Sequence, residues 1–342
     1  MSPVRNARPL FISLILLGLV VFWLSLALGP VSLSLGESLQ ALLHLGYGGD
    51  GNSQAELIVG QIRLPRALLG IGVGAVLALS GVAMQGLFRN PLADPGLIGV
   101  SSGAALGAAL TIVGSKTLGG VASWLEPYLL SLSAFAGGLA VTALVYRLGR
   151  RDGRTHVATM LLAGVALTAL ASAVIGLLGY LAEDNTLRAL TFWNLGSLNG
   201  ASYARLWPLL AVALAVSFWL PRRARALNAL LLGESEARHL GFDVERLKRE
   251  LVICTALGVG AAVAAAGMIG FVGLVVPHLV RLMVGPDHRL LLPASAVAGA
   301  SLLLLADLLA RLLLVPMELP IGTVTALLGA PFFLYLLART YP

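Results

Sequence analysis

Charge is what this sequence has least of. Of 342 residues, 11% are Asp, Glu, Lys or Arg and 58% are hydrophobic, where a soluble chain carries roughly 25% charged residues. That shortage excludes an ordinary soluble domain and leaves a polytopic membrane protein. Cysteine is almost missing. The single Cys254 lies in an apolar run, which rules out a disulfide framework and a cysteine metal site. His44, His156, His239, His278 and His288 include no pair at i, i+3 or i, i+4 spacing, so no metal site is expected. No GxxxxGK[ST] run occurs, since Gly114-Ser-Lys-Thr117 lacks its spacing, and there is no HExxH or Ser/His/Asp pattern. No catalytic residue and no resident cofactor are expected. Asp307 is the one carboxylate placed inside an apolar span. Arg311 follows it by one helical turn, which predicts an intrahelical ion pair rather than a proton relay.

What the sequence does have is long apolar runs. Crossing hydrocarbon takes about 20 apolar residues, and that ruler predicts ten spans: 10–29, 66–88, 96–114, 124–146, 156–180, 203–221, 250–268, 270–284, 290–313 and 320–338. The fold class is therefore an all-α polytopic membrane protein, one domain over 1–342. The first run, behind Arg5 and Arg8, is too long for a signal-peptide core and is read as a retained span. With the N-terminus inside, every cationic residue except Arg63, Arg66, Lys116, Arg188, Arg205 and Arg311 falls on the inner side. The positive-inside bias then places both termini in the cytoplasm. It also accounts for the net charge of +7 without a nucleic-acid partner.

The organising stretch is 81–107, GVAMQGLFRNPLADPGLIGVSSGAALG. Asn90-Pro91 and Asp94-Pro95 predict a helix break, because proline removes a donor and restricts the residue before it. The small residues that follow let neighbouring backbones approach closely. Residues 72–81 match 258–267 at six of ten positions with Pro91 and Pro277 in register. The copies lie five spans apart, which predicts two inverted five-helix repeats, 10–180 and 203–338. Between them, 221–250 forms a charged inner loop. In it, Glu234 and Glu236 suit the start of a short helix, Gly241 its end, and Asp243 the cap of a second helix through Glu250.

The blocks RLPR (63–66), the 72–104 pattern, LLAGVAL (161–167), FWNLGSL (192–198), GFVGLVVPHLVR (270–281), GPDHRLLLP (285–293), LADLLAR (305–311) and ELPIGTVTALLGAPFFLYLL (318–337) occur in an order that resembles the FecCD family. These are membrane subunits of type II ATP-binding-cassette (ABC) importers for haem, ferric siderophores and vitamin B12. The resemblance implies a bacterial inner-membrane permease working as a homodimer. It also implies two cytoplasmic subunits that hold ATP and Mg, and a periplasmic substrate-binding protein. By the same resemblance Gly233, Glu234, Ser235, Glu236, Ala237, Arg238, His239, Leu240 and Gly241, with the second helix from Asp243 through Glu250, form the pair of coupling helices on the ATPase. Arg63, Arg66 and Arg311 would meet acidic residues of the binding protein, or anchor to lipid headgroups by snorkelling. His156, Thr159, Gly164, Thr168 and Ser172 would belong to the cytoplasmic gate and pathway wall, or to helix packing by small residues. Arg188 is open to a substrate-carboxylate role or a structural one. Haem is the first expectation for the cargo, from the likeness of FWNLGSLNGASY to haem-type members, with a ferric siderophore or vitamin B12 as the alternative. An ion-coupled secondary transporter is the rival of a different class. It would need buried carboxylates, of which only Asp307 qualifies.

Overall fold

A helix apolar on every side belongs in the interior, and the segment after Pro65 is such a helix. The computed structural model describes residues 7–31, 33–47, 53–114 and 125–340. Arg5 and Ser115 to Thr117, and with them Lys116, lie outside those residues. The chain runs α1 (Ala7–Ala27), α2 (Leu35–Gly46), α3 (Gln54–Leu57), α4 (Leu64–Leu87), α5 (Val100–Gly114) and α6 (Glu126–Gly149). A two-strand hairpin, β1 (Arg150–Arg151) and β2 (Arg154–Thr155), leads into α7 (Val157–Leu181) and α8 (Asp184–Asn194). Then come α9 (Tyr203–Arg222), α10 (Ala224–Leu232), α11 (Glu234–His239), α12 (Val244–Ala266), α13 (Val272–Val284), α14 (His288–Leu312) and α15 (Ile321–Thr340). Among the described residues, seven helical segments are long and apolar enough to cross a membrane. Val100–Gly114, Val272–Val284 and Ile321–Tyr335 are shorter apolar helices at the other three predicted spans.

The buried α4 is the centre, packed against α9, α12, α13 and α14. Its approach to α13 requires glycine. A Cβ on Gly81 would overlap the carbonyl oxygen of Gly273, so the two backbones touch. Entry into α4 is a π-helical turn, Ile58–Arg63, in which the Leu64 N–H reaches back to Val59 O. Pro65 carries no N–H to continue the tighter ladder.

The chain leaves α4 at Leu87 and resumes at Val100. Between them the Leu92 N–H donates to Asn90 Oδ1 at 2.9 Å. The Gly96 N–H donates to Asp94 Oδ1 at 2.7 Å, which caps a short 3-10 turn, Pro95–Ile98. Gly99, at φ +76°, turns the chain into α5. At the N-terminal side, α2 carries a capping box in which Ser34 and Glu37 bond each other's backbone N–H. Hydrogen bonds from Ser34 hold the Glu37 carboxyl below its ordinary range. Leu35, Leu39 and Leu43 are exposed along one stripe of α2, the arrangement of a helix lying in a membrane interface.

Candidate functional sites at the two ends of the helices

The first site is built around α11. Gly233, at φ +128°, ends α10 and begins α11, and Gly241, at φ +85°, turns the chain out of it. Asp243 then caps α12 by accepting from the Arg246 N–H at 2.9 Å. One expectation is corrected here. The helix capped by Asp243 does not stop near Glu250 but continues unbroken to Ala266. Ala237 is buried, while Ser235, Glu236, Arg238, His239, Leu240 and Gly241 are exposed. Leu232 and Leu240 stand 68% and 60% exposed on either side of the helix, apolar surface of the kind a protein partner covers.

Side chains tie this short helix to its neighbours. Lys248 Nζ lies 2.7 Å from Glu234 Oε1 and 3.3 Å from Glu245 Oε1, and donates to Thr155 O at 2.9 Å. Arg238 reaches Glu234 at 3.3 Å and Glu245 at 3.7 Å. Alongside, a cavity of about 210 Å³ is lined by Arg223, Phe242, Asp243, Arg246 and Glu250 among others. Across it Glu250 bridges Arg223 at 2.7 Å and Arg246 at 3.0 Å. On the other flank, Asn228 of α10 donates to Asp287 Oδ1 at 2.6 Å and accepts from the His288 N–H at 2.9 Å, latching α10 to α14. Burial works against the Asp287 carboxylate. The Arg289 N–H and the Asn228 amide, with the Arg289 charge, outweigh it and hold the group below its usual range.

At the adjoining ends of α4 and α14 lie the three arginines expected at the docking rim. Arg63, Arg66 and Arg311 are 4%, 6% and 3% exposed, and all are engaged inside the chain. Arg66 pairs with Asp307 at 2.9 Å and with Glu318 at 3.0 Å. Arg311 meets the other oxygen of Asp307 at 3.1 Å and donates to Ser25 Oγ at 2.9 Å. Arg63 donates to Leu26 O and Ala27 O at 2.7 Å each, and also to Val31 O. A helix leaves its last four carbonyls unpaired, and α1 has no basic residue in its last turn. Arg63 and Arg311 supply that cap from elsewhere in the chain. As free docking charges the three arginines are unavailable in this structure. Glu318 and Ser25 are the functional partners that sequence reasoning missed, since nothing in their local spacing announces them.

The residues expected along α7 divide. Gly164 is buried against the 3-10 turn, where a Cβ would overlap Leu97 O. Thr168 Oγ1 lies 3.0 Å from Ser102 Oγ of α5. These two pack α7 against α5 and the 3-10 turn before it. His156 and Ser172 are exposed and Thr159 is half-buried. Arg188 is exposed on α8. There it lines an open cavity of about 420 Å³ with Asp184, Leu187, Thr191 and Phe192. Asn90 and Pro91 are exposed at the break between α4 and α5, and Pro95 is buried beneath Gly273.

The chain was compared with known proteins. The family model described as the FecCD transport family matches residues 16–339. The hemin transport system permease protein HmuU of Yersinia pestis is 48% identical over 278 residues, 81% of this chain and 82% of that one. The vitamin B12 import system permease protein BtuC of Salmonella typhi is 45% identical over 339 residues, 98% of this chain and 96% of that one. A solved metal-chelate type ABC transporter, in an inward-facing conformation, superposes with a TM-score of 0.84 at 34% identity. That match covers 97% of this chain and 99% of the other. With a model match over nearly its whole length and relatives close to half identical, the chain belongs to the FecCD transport family.

Proposed function

We propose that this chain is the membrane-spanning permease subunit of an ATP-driven, binding-protein-dependent importer in a bacterial inner membrane, with both termini cytoplasmic. It acts as a homodimer of ten-span protomers, each made of two inverted five-helix halves. The observation that carries this reading is α11, a six-residue helix held out on the basic side of the molecule between exposed Leu232 and Leu240. Such a surface suits a groove on a partner, and the partner proposed is a cytoplasmic ATPase subunit that binds ATP and Mg. This chain itself hydrolyses nothing. A loaded periplasmic protein would present cargo at the other end, near α8. Exposed Arg188 and Arg205 offer charge there, and the buried Arg63, Arg66 and Arg311 hold the rim in shape.

For the cargo, likeness to a hemin permease at 48% identity supports haem. Likeness to vitamin B12 permeases across 98% of the chain supports cobalamin as the second reading. The deciding experiment reconstitutes the permease with the ATPase subunits of its own host in proteoliposomes. Uptake of hemin, a ferric siderophore and cyanocobalamin is then measured, each delivered by a loaded binding protein. ATP-dependent hemin uptake is expected. Uptake that survives omission of the ATPase subunits would overturn the reading in favour of an ion-coupled transporter.

A further inference from the structure

We infer that Lys248 is the positioning residue through which movement of α11 reaches the inner end of α7. The inference rests on the coupling role proposed for α11. An ammonium group has three donors and no acceptor, and burying it is tolerated only when those donors find partners. Lys248 is 2% exposed, and its three partners belong to three separate segments: Glu234 of α11, Glu245 of α12 and the carbonyl of Thr155. Thr155 closes the β1–β2 hairpin two residues before α7 begins. Its own N–H donates to Glu245 Oε2 at 2.8 Å. Both backbone polar groups at the foot of α7 are therefore held by side chains of α12, and the lysine that holds one of them also holds α11.

The geometry leaves few ways for α11 to shift alone. Moving Glu234 away from Lys248 would strip a buried charge of its 2.7 Å partner. Moving Lys248 with it would pull on the Thr155 carbonyl. Arg238, bound to both Glu234 and Glu245, ties the far end of α11 to the same knot. Displacement of α11 and repositioning of the hairpin are thus a single step. α7 is the helix that this hairpin feeds, and only Met160, Gly164 and Ala171 of it are buried in the protomer.

The test uses the complex with its ATPase subunits, in a Cys254→Ala background carrying Ala158→Cys, an exposed position in the first turn of α7. Labelling by a membrane-impermeant maleimide is timed without nucleotide and again after vanadate trapping with ATP and Mg. Lys248→Met is expected to shrink the nucleotide-dependent change in labelling rate about fivefold or more, the low end of typical coupling between sites. Lys248→Arg, which keeps the charge and the donors, is expected to restore it. A purely structural lysine would alter stability without abolishing the nucleotide response. Thermal unfolding of each variant is therefore recorded alongside. A full response in Lys248→Met overturns the inference and leaves the role of α11 standing. No response in the unsubstituted complex overturns the coupling role and the inference with it. Should Lys248→Met fail to assemble, Glu234→Gln removes the ion pairs of Glu234 with Lys248 and Arg238, leaves Glu245 and the Thr155 carbonyl on Lys248, and is judged by the same two outcomes.

Discussion

Asp307 sits where a charge is most costly, wholly buried between two guanidinium groups. Removing one partner from a buried ion pair costs about 3–5 kcal/mol, because the remaining charge has nothing to offset its desolvation. Asp307→Asn leaves Arg66 with Glu318 alone and Arg311 with Ser25 and Leu28 O. It is expected to lower stability by that amount in thermal unfolding of the detergent-solubilised protein. Arg188→Ala, at an exposed position, should stay within about 0.5 kcal/mol in the same assay. The pair between Asp307 and Arg311 was legible in the sequence because i, i+4 spacing is local. Arg66 finds Asp307 across 241 residues and Glu318 across 252. No one-dimensional spacing encodes such a meeting. The burial of Arg63, Arg66 and Arg311 was not legible either, because it is a property of the packed helices alone.

Among the elements, helix ends and close approaches set the energetics. Asp243 caps α12 through the Arg246 N–H, so Asp243→Ala should cost about 1 kcal/mol in the same unfolding measurement. Glycine positions should respond oppositely to one substitution. Gly81→Ala drives a methyl group into the Gly273 carbonyl, an overpacking worth about 1–3 kcal/mol. Gly176 of α7 has nothing within 4 Å of a built Cβ, so Gly176→Ala should be neutral or stabilising by about 0.5–1 kcal/mol from helix preference. Paired melts of the two variants check this. Glu234, Glu236, Gly241 and Asp243 were readable because caps and turn residues act within a few positions. The full length of α12 was not, because a hydropathy ruler ends a span where charge begins. Backbone hydrogen bonding continues through Glu245, Lys248 and Glu250 regardless. The same ruler hid α10, a buried amphipathic helix inside the charged loop.

Across the whole molecule, α7 carries a run of exposed apolar side chains, with Leu162, Val165, Leu170 and Leu177 each about 60–70% exposed. If two copies meet along this helix, a lone cysteine at Leu170 should form a cross-linked dimer in membranes. One at Leu214 of α9, 68% exposed, should not. Oxidative cross-linking followed by denaturing electrophoresis separates the outcomes, and the reverse pattern would move the dimer face to α9. The long apolar runs, their order and the proline break were legible because each is written in adjacent residues. The seating of α1 was not, and it has a bearing on how the chain is made. α1 is made before α4 and α14, yet its final carbonyls wait for Arg63 and then for Arg311, 283 residues beyond Leu28. Until α14 inserts, the carboxyl end of α1 lacks its second basic partner in the bilayer. The docking of α1 is thus completed only by a helix made long after it.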